Sequence, residues 1–106
     1  MRDVTIVIVS FNTRAELEGC LASIAAAPPS TPHRIVVVDN ASSDGSPDAV
    51  RQRWPGVRLI ASDRNVGFAA ANNMAIRDAD SEFVLLLNSD TRVTAGSIDI
   101  LVRALE

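Results

Sequence analysis

Three runs of apolar or β-branched residues in this chain stop abruptly at polar side chains, and that pattern restricts the folds open to it. Val4-Thr5-Ile6-Val7-Ile8-Val9 leads into Ser10-Phe11-Asn12. Ile35-Val36-Val37-Val38 leads into Asp39-Asn40. Phe83-Val84-Leu85-Leu86-Leu87 leads into Asn88-Ser89-Asp90. Such runs suit strands of a parallel sheet. The last run, unbroken from Phe83 to Leu87, is expected to be buried on both faces, in the middle of the sheet.

The stretches between the runs read as helices. Leu17, Cys20, Leu21 and Ile24 fall on one helical face, with Thr13 as N-cap and Glu16 completing a capping box. Pro28-Pro29 ends that helix. Strand two is expected over Arg34–Asp39, then a turn-rich segment holding Gly45, then a short helix from Pro47 to Arg53 capped by Ser46. Pro55-Gly56 precedes a short strand three, Val57–Ala61, expected near an edge. A loop over Asp63–Gly67 leads to an alanine-rich helix from Phe68 to Ala79, and strand four spans Glu82–Leu87. A last helix carries Ile98, Leu101, Val102 and Leu105 on one face. Its stripe is still running at Glu106 with no Gly or Asn stop, the pattern of an interrupted, truncated domain.

Strands alternating with helices imply right-handed βαβ crossovers. The expected architecture is α/β: three layers, α/β/α, around a mainly parallel sheet of order 3-2-1-4. In such sheets ligands bind beyond the carboxyl ends of the strands, where the strand order reverses. The three polar clusters would meet there, in the crevice between strands one and four.

At 106 residues the chain has room for one domain. Its net charge of −3 argues against a generic nucleic-acid binder. The single cysteine, Cys20, excludes a disulfide framework or a cysteine zinc cluster and suits a helix core position. The single histidine, His33, sits in a Pro-rich loop and reads as solvated. No segment is long enough to cross a membrane. A cytoplasmic location is expected, at the inner face of the membrane for a longer protein built on this domain.

A carboxylate at a strand end is commonly a turn former or cap, and Asp44 and Asp63 fit that reading. Asp39 and Asp90 fit it less well, because the topology brings both to one crevice. Asp39 suits hydrogen bonds from a base or ribose. Asp90 suits Mg2+ or Mn2+, hard cations that prefer carboxylate oxygen. Strand one is followed by Ser-Phe-Asn-Thr, with neither G-x-x-x-x-G-K-[ST] nor G-x-G-x-x-G, which argues against a P-loop ATPase or a nicotinamide enzyme. Without a glycine-rich loop, a metal is the natural partner for a diphosphate.

With those residues in place, the chain resembles the N-terminal, nucleotide-binding half of family 2 glycosyltransferases, inverting enzymes of the Rossmann-like GT-A fold. Val7-Ile8-Val9-Ser10-Phe11-Asn12 resembles the family's opening strand. Val36-Val37-Val38-Asp39-Asn40-Ala41-Ser42-Ser43-Asp44-Gly45-Ser46 resembles its second strand and acidic turn. Asn65-Val66-Gly67-Phe68-Ala69-Ala70-Ala71-Asn72-Asn73 is similar to a segment of the rhamnosyltransferase-like branch. Leu86-Leu87-Asn88-Ser89-Asp90 stands where the family carries its D-x-D motif, with Asn88 replacing the first acid.

The resemblance implies roles position by position. Ser10, Phe11 and Asn12 would line a nucleotide pocket, with Phe11 beside the base and Asp39 on base or ribose. Asn65, Gly67 and Asn72 or Asn73 would approach the nucleotide or donor sugar. Asn88 would bind ribose or support the metal, and Asp90 would coordinate it. The implied donor is a nucleotide-diphosphate sugar, with dTDP-rhamnose favoured over UDP- or GDP-sugars. The implied acceptor is a saccharide or lipid-linked saccharide, in polysaccharide biosynthesis for the cell envelope. The resemblance places the catalytic base beyond Glu106, so residues 1–106 are expected to bind donor without transferring sugar. Asp99, four residues before Arg103, reads as half of a solvated pair. A non-catalytic nucleotide-binding or interaction module of the same fold is the alternative. A flavodoxin-like phosphate-acceptor regulator ranks below both, because the chain has no lysine. Self-association through the edge of strand four is also expected.

Overall fold

A computed structural model describes residues 3–106. Four strands, β1 (Val4–Ser10), β2 (His33–Asp39), β3 (Arg58–Ala61) and β4 (Phe83–Asn88), form one sheet of order β3-β2-β1-β4. All three pairings are parallel, and the register sets Ser10 beside Asp39 and Val9 beside Asn88. The helices are α1 (Arg14–Ala26), α2 (Ser46–Arg53), α3 (Phe68–Asp78) and α4 (Ser97–Ala104). None of them is long and apolar enough to cross a membrane.

The period-two alternation of β1 divides the core in two. Val4, Ile6 and Ile8 pack with Leu17, Leu21 and Ile24 of α1, Val50 of α2, and Ile98 and Val102 of α4. Val7 and Val9 face the other way, with Val36 and Val38 of β2, onto Ala71 and Ala75 of α3. Helices thus cover both faces in three layers, and every residue of β1 is buried. Both alanines of α3 are fully buried, and their small side chains let the helix lie close to β1 and β2.

That placement corrects the reading of β4. The strand is an edge strand, covered on one face only: Phe83, Leu85 and Leu87 pack against the larger core, while Val84 and Leu86 are 38% and 46% exposed. The cause is α3, which sits over β1 and β2 and leaves the matching face of β4 bare. The stripe of α4 divides in the same way. Ile98 and Val102 are buried, but Leu101 and Leu105 are 51% and 66% exposed. His33 begins β2 rather than lying in the loop, and it is exposed there. Cys20 is a core residue of α1, and burial pushes its thiol pKa up.

Asp99 does not serve as a simple surface partner of Arg103. Its carboxylate accepts hydrogen bonds from the Ser30 amide (3.0 Å), the Thr31 amide (2.9 Å) and the Thr31 hydroxyl (2.6 Å). The side chain therefore pins the α1–β2 connection to α4. The Thr31 hydroxyl first, then the two amides, hold its pKa down at about 2, with Arg103 a lesser contributor. A carboxylate depressed in the folded state adds stability above its unfolded pKa of about 3.9, and that stability fades as pH falls through the folded value. Urea unfolding should find Asp99→Asn less stable than the parent at neutral pH, with the gap closing as pH approaches 2.

Candidate functional site

A cleft of about 650 Å3 opens beyond the carboxyl ends of β1 and β4, at the point where the strand order reverses. Its size falls within the roughly 300–1,000 Å3 of small-molecule sites. Val9 and Phe11 enter from the end of β1, and Thr13 and Glu16 from the start of α1. Asn40 follows β2, and Asn65, Gly67 and Phe68 form the approach to α3. Asn88, Ser89 and Asp90 close the site from β4. Two exposed aromatic rings, Phe11 (46%) and Phe68 (56%), thus share one cleft.

The loops around the cleft are bound to one another by side chains. Asn40 is 3% exposed, and it holds the α3 approach: its Oδ1 accepts from the Val66 amide (2.8 Å) and its Nδ2 donates to the Gly67 carbonyl (3.2 Å). Asn65 turns back on itself to accept from the Gly67 amide at 2.9 Å. Asn12, in a left-handed conformation (φ +51°), accepts from the Ser43 amide, while its own amide donates to Ser42 Oγ. Ser10, Thr13 and Ser89 form a hydroxyl chain with both links at 2.9 Å, joining β1, α1 and the end of β4.

Asp44 fills the turn-and-cap role read from the sequence, and does so for two helices. It accepts from the Arg14 amide at 3.0 Å, at the start of α1, and from the amide and hydroxyl of Ser46 at the start of α2. Thr13 occupies the N-cap position of α1 but makes no capping side-chain bond, because its hydroxyl is engaged by Ser10 and Ser89. At α2 the cap position belongs to Gly45 (φ +82°), not Ser46. Burial pushes the Asp44 pKa up, but bonds from the Ser46 hydroxyl and from the Ser46 and Arg14 amides outweigh it and hold it below the usual range.

Asp39 is 1% exposed at the end of β2. Its Oδ2 accepts from the Ser42 amide at 2.9 Å, and its Oδ1 is buried with no hydrogen-bond partner. Asp39 is thus not part of the cleft lining, although the sequence pattern puts it in the crevice; it is buried at the strand end and braces the turn at Ser42. Of the other residues singled out from sequence, Phe11, Asn65, Gly67, Asn88 and Asp90 line the cleft. Ser10 and Asn12 brace its loops. Asn72 is buried and donates to the Phe68 carbonyl within α3, and neither it nor Asn73 is part of the lining. Thr13, Glu16 and Phe68 line the cleft without having been singled out as site residues. Phe68 carried a signal, since it is a large aromatic at the first position of a helix otherwise rich in alanine.

Among the described residues no three His, Cys, Asp or Glu side chains gather into a cation cage. Asp90 and Asn88 nevertheless present a carboxylate and an amide to the same cleft. That donor set fits Mg2+ or Mn2+ held jointly by one carboxylate and substrate phosphates.

Residues 5–106 match the sequence profile of Glycosyl transferase family 2. The chain belongs to that family. It is 35% identical over 110 residues to the N-acetylglucosaminyl-diphospho-decaprenol L-rhamnosyltransferase of Mycobacterium tuberculosis, covering 93% of this chain and 36% of that protein. It is 37% identical over 92 residues to the succinoglycan biosynthesis protein ExoO of Rhizobium meliloti, covering 86% of this chain and 26% of the relative. A mannosyltransferase from Pyrobaculum calidifontis, solved with GDP-Man and Mn2+, superposes with a TM-score of 0.77 at 31% identity, over 96% of this chain and 31% of its own. S. aureus TarS, solved with UDP, superposes with a TM-score of 0.84 at 23% identity, over 97% of this chain and 31% of its own, a likeness of fold. The chain thus spans between about a quarter and somewhat over a third of the length of these relatives.

In this family 2 domain the cleft depends on Asn40 for the position of one wall. Asn40→Ala leaves the half-buried Val66 amide without its protein acceptor, and a hydrogen bond of this kind contributes about 0.5–1.5 kcal/mol. Urea denaturation should show a loss of that size, with loosening at Asn65–Phe68 visible as faster amide exchange.

Proposed function

We propose that residues 1–106 form the donor-binding half of an inverting family 2 glycosyltransferase, taking a nucleotide-diphosphate sugar together with Mg2+ or Mn2+. The observation that carries this reading is the convergence of Phe11, Asn40, Asn65, Asn88 and Asp90 on one cleft at the strand-order reversal. Phe11 and Phe68 offer flat apolar faces to a base. Asp39, buried at the end of β2, would support the nucleotide side of the cleft through the turn it holds at Ser42. Asn65 and Gly67 would meet the ribose or donor sugar, and Asn88 would hold ribose or support the cation at Asp90. When bound, that cation would offset charge growing on the departing nucleoside diphosphate.

The acceptor in this reading is a saccharide or lipid-linked saccharide of envelope polysaccharide assembly, at the cytoplasmic face of the membrane. A carboxylate base for its hydroxyl would come from sequence outside this chain. The likeness to an L-rhamnosyltransferase supports dTDP-rhamnose as donor.

Calorimetric titration with dTDP-, UDP- and GDP-sugars, with and without Mn2+, tests the proposal. Metal-supported binding, strongest for dTDP-rhamnose, is expected. Asp90→Ala should weaken it by about tenfold or more, equivalent to about 1.4 kcal/mol. Asp39→Ala should weaken binding with or without metal. A chain that binds no nucleotide under any condition would sink the proposal and leave an interaction module.

The partner set in this reading also includes a second copy, paired through β4. The outer edge of β4 has no partner strand among the described residues and lies beside exposed Val84 and Leu86. Unpaired apolar edges are templates for strand pairing. Light scattering at high concentration should show association that Leu86→Arg reduces; a monomeric parent chain would contradict it.

A further inference from the structure

The segment after Asp90 folds back along α1. The Arg92 guanidinium lies flat across Gly19: a Cβ added there would be 2.2 Å from Nη2 and 2.4 Å from Cζ. A side chain there would force the guanidinium to shift from this position. From this position Nη1 donates to the Glu16 carbonyl at 3.1 Å, and reaches the Asp90 and Thr91 carbonyls at 3.4 Å each. One turn further along α1, the Val93 amide donates to Ser23 Oγ at 2.9 Å. At the other end of the segment, Ser89 Oγ meets Thr13 Oγ1. Residues 89–93 are thus laid along one face of α1, and the Asp90 carbonyl lies under the guanidinium.

The direction of the contact matters. Arg92 meets Asp90 through its backbone carbonyl, and among the described residues no salt bridge joins the guanidinium to the Asp90 carboxylate. Partners that orient a ligating carboxylate are nearly as important to a metal site as the ligand itself.

We propose that Arg92, seated on Gly19, is a positioning residue that fixes the backbone of Asp90 and so aims its carboxylate at a divalent cation shared with a diphosphate. The inference rests on the donor-binding role given above for Asp90. Gly19 is part of the seat, because a Cβ there would displace the guanidinium that reaches the three carbonyls.

The test combines Arg92→Ala, Gly19→Ala and the double variant. Two quantities are measured: UDP or dTDP affinity with and without Mn2+, and exchange of the Thr91 amide in the chain without nucleotide or metal, where that amide donates to the Asn88 carbonyl. Each single variant should lose roughly 10–100-fold of the affinity that Mn2+ adds. Metal-free nucleotide affinity should stay within about twofold, and Thr91 exchange should rise by about tenfold or more. The double variant should be no worse than Arg92→Ala, since both changes break one contact. Gly19→Ala is the control against a general loss of fold, because alanine favours a helix over glycine by about 1 kcal/mol. An Mn2+ increment retained in Arg92→Ala, additive losses, or equal loss with and without metal would overturn the proposal. A parent chain with no Mn2+ increment would overturn the metal role of Asp90 instead, and Thr91 exchange then decides whether Arg92 fixes this turn.

Discussion

The double-sided burial of β1 is the constraint on which the rest of this structure depends. A strand with apolar side chains on both faces needs a layer on each side and a neighbour on each edge. Here α1, α2 and α4 supply one layer and α3 the other, while β2 and β4 supply the edges. With β2 on one side and β4 on the other, the chain must reverse its direction of travel across the sheet at β1. The loops leaving β1 and β4 both pass to the face covered by α1 and α4, while α3 starts on the opposite face, and the cleft opens between those loops and the approach to α3. The packing of seven buried residues thus creates the opening in which the chemistry is set.

Polar side chains then convert that opening into a shaped site. Asp44 joins the starts of α1 and α2, and the Ser10–Thr13–Ser89 hydroxyls join three elements across the sheet edge. These bonds link residues that a linear reading sees as local. Ser42, Ser43 and Asp44 form a turn by composition, yet in the fold they receive or supply bonds from Asn12 and Arg14. A turn-forming sequence here also works as a clamp between two strand ends.

The strand order, the three layers and the meeting of the polar clusters were legible because they follow from residue type and spacing. Apolar runs demand burial, and their polar ends mark the sheet edge. What was not legible depends on contacts between distant segments. The exposure of Val84 and Leu86 is set by where α3 lands, and nothing in β4 itself reports that. Asp99 looks like the partner of Arg103 by helical spacing, but amides 68 and 69 residues away compete better for its oxygens. The capping box at Thr13 fails for the same reason, since Ser89 takes the hydroxyl the helix would have used. Within the candidate site, Phe11, Asn88 and Asp90 were readable from the clusters that end the apolar runs, while Asn65 and Gly67 were singled out through the family resemblance. Asn40 and Phe68 were harder to single out, because their importance lies in what they hold or face.

The two walls of the cleft are fastened unequally. The wall carrying Asp90 is tied to α1 through Thr13, Glu16 and Ser23, three separate anchor points. The wall carrying Asn65 and Phe68 is held by the Asn40 side chain and by Val66 packed on the smaller core, next to Gly67, whose φ of +86° is open to glycine. Compliance therefore concentrates on the second wall. Ligands of different girth would be accommodated by pivoting at the entrance of α3, while the acidic wall keeps its place. In the donor-binding reading proposed above, the loss of conformational freedom on binding would then fall mainly on Asn65–Phe68, the softer half of the cleft would meet the base, and the stiffer half would meet the charge.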